Sequence, residues 1–220
     1  MFPLRDVNPR RSFPVVVVLL IIFNTLIFIQ YFDLPESRIE RIFFSLGIVP
    51  ANFRFISLIT YQFLHGGLLH LISNMWALWI FGDNIEDRLG HSRFLFFYIL
   101  CGIFAGIIHA ITQPGSKIPC VGASGAISGV MGAYLVLYPG ARVLCLIPII
   151  IYPYFTEMPA ILFGGIWFIL QLLNGFVVMA SQEDVAGVAW WAHIGGFFGG
   201  ILLLPFFIKR QPPSHAPWMG

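Results

Sequence analysis

The stretch Pro119-Cys120-Val121-Gly122-Ala123-Ser124-Gly125-Ala126-Ile127-Ser128-Gly129-Val130-Met131-Gly132 decides how this chain is read. A polar serine flanked by small residues opens a very apolar helix, and a polar group inside lipid is costly unless something pairs or uses it. The composition around it is that of a membrane protein. Hydrophobic residues make up 58% of the chain and charged residues 10%, with a mean hydropathy of +0.86. Soluble domains carry about 25% charged residues. Six apolar segments of about the spanning length nearly use up the 220 residues. The expected fold is therefore an all-α integral membrane protein, a single six-helix bundle without a separate soluble domain.

Working outward from Ser124, the fourth span covers residues 124–138 and the others cover 13–32, 63–81, 94–112, 160–180 and 188–208. After Ile29 the chain reads Gln30-Tyr31-Phe32-Asp33 instead of a small-residue cleavage site, so the first run is expected to be a retained span and not a removed leader. Residues 33–62 alternate charges with apolar clusters such as Ile42-Phe43-Phe44, the composition of amphipathic pieces lying in the interface. Residues 82–93 read as a polar turn. Residues 143–155 are apolar but broken by Pro148 and Pro153 and too short to cross, so they are expected to be interfacial or re-entrant. Residues 1–12 form an N-terminal segment, 13–208 the membrane domain, and 209–220 a proline-rich tail expected to be disordered.

Positive charge orients the bundle. Arg5, Arg10, Arg11, Arg88, Arg93, Arg142, Lys209 and Arg210 fall on one side, against Arg38, Arg41, Arg54 and Lys117 on the other, which places both termini in the cytoplasm. A net charge of +2 without a basic cluster argues against nucleic acid as a partner. Cys101, Cys120 and Cys145 have no short paired spacing and read as unpaired packing residues.

In this orientation the second, fourth and sixth spans all begin on the outer side, with their polar residues near their beginnings. His193 and Ser124 each come out roughly 8 Å below the outer surface, from a rise of 1.5 Å per residue and a core of about 30 Å. His70 and Asn74, one turn apart on the second span, reach a similar depth, so the four can meet in one layer. The loop before Ser124 must then lie at membrane depth, which requires protein or a water-filled cavity beside it. Free N–H groups at the helix start favour developing negative charge there. Glycines 125, 129 and 132 on the fourth span and 195, 196, 199 and 200 on the sixth let the two backbones approach.

Each residue also has a plainer reading. Ser124 alone could be a small residue at a helix interface, and His70 and Asn74 interhelical glue. His65 reads as lying near the surface, lining a water path or cavity. Gln171 and Asn174 could satisfy each other, satisfy a neighbour or contact a substrate. His91 and His109 read as a loop residue and an outer helix end. A metal site is disfavoured, because no His-Glu-x-x-His occurs and no carboxylate lies in the outer half of any span.

Taken jointly, His65-Gly-Gly-Leu-Leu-His70-Leu-Ile-Ser-Asn74, Gly122-Ala-Ser124-Gly125 and Ala192-His193-Ile-Gly195-Gly-Phe-Phe-Gly199 resemble the rhomboid intramembrane serine protease family, and their order and spacing cover nearly the whole core. The turn with Glu86 and Arg88 also looks like the family's. The resemblance implies a serine endopeptidase without cofactor or metal, cleaving within or near the transmembrane segments of other membrane proteins. Ser124 would be its nucleophile and His193 its general base. His70, Asn74 and the Ser124 backbone N–H would form the oxyanion hole. A compact core suggests a prokaryotic plasma membrane; the oligomeric state is open. Two departures stand out. The family's Trp-Arg before the first histidine reads Ile56-Ser57 here, and Ser128 replaces an aromatic residue that in some members packs on the catalytic histidine.

Overall fold

A computed structural model describes residues 2–149, 152–181 and 189–208. In chain order its elements are β1 (Phe2–Asp6), α1 (Val15–Ile29), α2 (Glu36–Leu46), α3 (Ser57–Thr60), α4 (Leu68–Leu89), α5 (His91–Thr112), α6 (Ser124–Leu137), β2 (Arg142–Ile149), β3 (Tyr152–Pro159), α7 (Ala160–Ser181) and α8 (Trp190–Phe207). Of these, α5, α7 and α8 are long and apolar enough to cross a membrane, and α1 and α6 are shorter apolar helices. Large apolar side chains such as Leu69, Ile111, Val177 and Leu202 stand exposed, as expected where lipid is the solvent.

The short helix α6 is the axis of the bundle. It is small or apolar on every face, which is the pattern of a helix surrounded by others, and Gly125 through Leu135 are all buried. Its most extensive partner is α8. A Cβ at Gly196 would collide with the Gly125 carbonyl, and one at Gly200 with the Gly129 carbonyl. The glycine faces therefore meet backbone to backbone, as the sequence suggests.

Two expectations about connections need correction. The polar stretch 82–93 is not an open turn: α4 runs on to Leu89, Gly90 ends it at φ 85°, and α5 starts at His91. That positive φ suits glycine, which has no Cβ to strain. The fold is also not all-α, because residues 142–149 and 152–159, expected to be interfacial or re-entrant, pair antiparallel as β2 and β3. With β1 they make a three-stranded sheet in the order β1-β2-β3. Val143, Ile147, Tyr154, Phe155 and Thr156 are strand formers. Pro148 and Pro153 face each other across the hairpin, and β1 reaches only Val143 to Leu146. Pro148 thus lies beyond the three-stranded part and costs no bond to β1.

The N-terminal segment is tied to the bundle through this sheet. Asp6 accepts hydrogen bonds from Tyr134 Oη at 2.7 Å and Asn84 Nδ2 at 2.9 Å, and Trp76 Nε1 donates to the Pro3 carbonyl at 2.7 Å. Helix α2 is amphipathic, with Ile39, Ile42 and Phe43 packed on the core and its charges outward. The tail expected to be disordered, with His215, lies outside the described residues.

Candidate active site

Ser124 is the first residue of α6, where N–H groups have no intrahelical acceptor. The loop before it is held by protein. Ile48 and Cys120 exchange backbone hydrogen bonds at 3.0 and 2.8 Å, and Gly122 N–H donates to the Tyr61 carbonyl at 2.9 Å. Gly122 takes φ 136°, which favours glycine, and a Cβ there would stand 2.9 Å from His70 Nε2 and 3.5 Å from Ser124 Oγ. Conformation and space both demand glycine immediately before Ala123-Ser124.

His193, one turn into α8, turns Nε2 toward Ser124 Oγ at 2.8 Å. Its Nδ1 lies 2.7 Å from Gln171 Oε1 on α7. The Trp167 ring, also on α7, lies beside the imidazole at 5.8 Å between centroids and 32° between planes, and Trp190 meets it edge-on at 6.3 Å. Position 128 supplies no aromatic support, since Ser128 Oγ donates back to the Ser124 carbonyl at 2.6 Å. The neighbouring helix supplies it instead.

His70 accepts from the Gly66 N–H through Nδ1 at 3.2 Å, which leaves Nε2 as the protonated nitrogen on the edge facing Gly122. Asn74 is buried and donates to the His70 carbonyl at 2.7 Å on its own helix. His65 packs inside the protein. It is fully buried, its ring edge-on to His70 at 5.2 Å, and its backbone N–H and C=O are both bonded to the Tyr31 hydroxyl. It also belongs to the wall of a cleft of about 270 Å³ with Tyr31, Phe43 and Gly66.

Asn174 donates to the Leu170 carbonyl and leaves Gln171 to His193. His91 is the first residue of α5 and contacts Glu86, and His109 is buried in the last turn of α5. All three cysteines are free and buried. Among the described residues no cluster of three or more His, Cys, Asp or Glu is arranged to hold a metal ion.

Sequence reasoning missed two contributions. In the sequence Trp167 is one more apolar residue of a span, and its contact with His193 depends on how α7 is rotated against α8. Glu86 reads in the sequence only as part of a turn. It is buried and accepts from the N–H groups of Val16 and Val17, both at 2.8 Å, at the start of α1. Nothing in the sequence distinguishes it from its neighbours Asp83 and Asp87.

Together these features define the class: a membrane-embedded, multi-pass, mostly helical protein in which a serine at a buried helix start meets a histidine from a neighbouring helix. A family model described as the rhomboid domain matches residues 52–210. The chain belongs to the rhomboid family. It is similar to "RHOMBOID-like protein 6, mitochondrial" of Arabidopsis thaliana, 32% identical over 71% of this chain and 45% of that protein. It is also similar to two Bacillus subtilis proteins. One is "Putative rhomboid protease YdcA", 40% identical over 42% of this chain and 45% of that protein. The other is "Rhomboid protease GluP", 34% identical over 65% of this chain and 24% of that protein. The chain spans less than half the length of these relatives. Because they come from bacteria and mitochondria alike, they give no support to the expectation of a prokaryotic plasma membrane.

Proposed function

We propose that this chain is an intramembrane serine endopeptidase that hydrolyses peptide bonds within or near the transmembrane segments of membrane-protein substrates. The observation that carries this reading is the 2.8 Å contact between Ser124 Oγ and His193 Nε2 at a helix start. His193 takes the hydroxyl proton as Ser124 attacks the scissile carbonyl carbon, then returns it to the leaving amine, leaving an acyl-enzyme. Water, deprotonated by the same imidazole, releases the second product. The negative oxygen that forms on the way is met by the Ser124 N–H, by His70 through Nε2 and by Asn74 through its amide. Loss of one such donor typically costs about 10² to 10³ in rate.

The bundle is read as six spans with both termini in the cytoplasm. The excess of Lys and Arg on that side supports the orientation. So does the alternation of ends: β1, the start of α1 and the ends of α4 and α6 gather on one side, and Ser124, His70 and His193 on the other. Substrate helices must unwind to present a bond, so segments with small or helix-weakening residues near the outer face suit the site. Helix α7 and the outer segment between α1 and α4 are the parts through which a substrate would enter.

The test is labelling of the detergent-solubilised protein by a fluorophosphonate probe. Wild type is expected to label, and Ser124→Ala and His193→Ala are expected to lose labelling while keeping the wild-type melting temperature. A folded wild type that does not label overturns the assignment in favour of a protein that binds membrane helices without cutting them, and a Ser124→Ala variant that still cleaves a transmembrane substrate overturns Ser124 as the nucleophile.

A further inference from the structure

The contact between Gln171 and His193 goes beyond a two-residue site. We infer that Gln171 is a positioning residue that fixes the tautomer of His193 and makes the orientation of the base depend on the seating of α7. The inference rests on the protease reading for its catalytic meaning and on the hydrogen-bond geometry for its substance.

An amide oxygen can only accept a hydrogen bond, and an amide nitrogen only donates. Gln171 Nε2 donates to the Trp167 carbonyl at 3.2 Å, one turn back on α7, so Oε1 is the atom turned to His193 Nδ1 at 2.7 Å. With Oε1 as its neighbour, Nδ1 must carry the proton; the other tautomer would set two lone pairs against each other. Nε2 is then the bare nitrogen, and it is the one that faces Ser124 Oγ. Both ring nitrogens are thereby assigned, and the lone pair points where a general base needs it.

In serine hydrolases that use a third residue, a carboxylate performs this orientation. The Gln171 amide offers Nδ1 an acceptor without placing a charge among apolar helices, where an unpaired carboxylate would be expensive. Gln171 is itself buried. Trp167, the second contact of the ring, lies on the same helix one turn away, so α7 supplies both the acceptor and the flat surface beside the imidazole. The helix through which a substrate would enter is therefore the helix that aims the base. A displaced α7 leaves His193 free to turn, and acylation must wait until α7 is seated again.

The experiment compares Gln171→Met, which keeps the length of the side chain and removes the acceptor, with Gln171→Glu, which keeps an acceptor at the same place. Three readings are taken: the fluorophosphonate labelling rate, the melting temperature, and ¹⁵N NMR of histidine-labelled protein, which separates protonated from bare ring nitrogens. Gln171→Met is expected to label about 10- to 100-fold more slowly, the size of loss seen when the partner that orients a metal-bound histidine is removed. Its melting temperature should stay near the wild-type value, and its His193 signal should move from one tautomer to a mixture. Gln171→Glu, which as a neutral acid donates to the Trp167 carbonyl through its O–H and accepts from Nδ1 through its C=O, is expected to stay within a few-fold of wild type. Where the wild type labels, an equal rate for Gln171→Met overturns the inference; a His193 signal that is the same in both overturns it in every case. The NMR reading stands whether or not the wild type labels, so failure of the protease reading and failure of this one are told apart.

Discussion

A carboxylate buried among apolar helices is tolerable only when donors surround it. Glu86 meets that condition by accepting from Val16 and Val17 N–H, the second and third residues of α1, which Pro14 before them cannot cap with a side chain. The charge also faces the positive end of the helix dipole. Replacing Glu86 with Ala leaves two buried N–H groups unpaired and should cost about 3 kcal/mol, with Gln costing roughly half of that. Denaturant unfolding in detergent measures it, and an Ala variant within 0.5 kcal/mol of wild type (about the scatter of a surface substitution) would show that the cap does not matter. Residues of this kind are hard to read from sequence. Ser124 and His193 announced themselves because each is polar inside an apolar run. The partners of Glu86 and Gln171 depend on how helices distant in the chain are turned toward one another, which hydropathy does not record.

At the scale of elements, the contact between α6 and α8 sets the distance between Ser124 and His193. Because Gly200 meets the Gly129 carbonyl without room for a methyl group, Gly200→Ala must push the helices apart or shift one along the other. Overpacking of this kind costs about 1 to 3 kcal/mol. The effect on labelling by the fluorophosphonate probe should be larger than the loss of stability suggests, because the hydrogen bond to Ser124 lengthens with the helix separation. An Ala variant with a lower melting temperature but an unchanged labelling rate would mean that the pair is held by something other than this packing. The glycine periodicity and the length of α6 were both legible in the sequence. The hairpin β2–β3 was not, because its two prolines read as breaks until their positions beyond the reach of β1 are known.

Across the whole molecule, α4 and α6 reach from the serine end to the sheet end. Asp6 lies at the sheet end, and burial, opposed by the Tyr134 hydrogen bond and reinforced by the Asp83 charge, raises its carboxyl from 3.8 to about 6. A carboxyl with a raised folded value is more readily protonated in the folded state than in the unfolded one. Its favourable contribution is thus complete below about pH 4 and is lost as pH rises through about 6. At about 1.4 kcal/mol per unit the full effect is at most about 3 kcal/mol, reduced by the partial exposure of the group. Asp6→Asn should therefore flatten the dependence of melting temperature on pH between 4 and 6 and leave the protein at least as stable at pH 7. A variant whose slope matches wild type would place the titration elsewhere.

The pairing of β1 with β2 also sets an order of events during synthesis. Strand β1, made before β2, finds its partner, Val143 to Leu146, only after α1, α4, α5 and α6 have been made. The hairpin β2–β3 is local and can close at once, but until the N-terminus returns, one edge of β2 keeps its hydrogen-bonding groups open. The last bond of the sheet is made by a strand synthesised before any of these helices. During that interval the hairpin of a neighbouring nascent copy competes for the same edge.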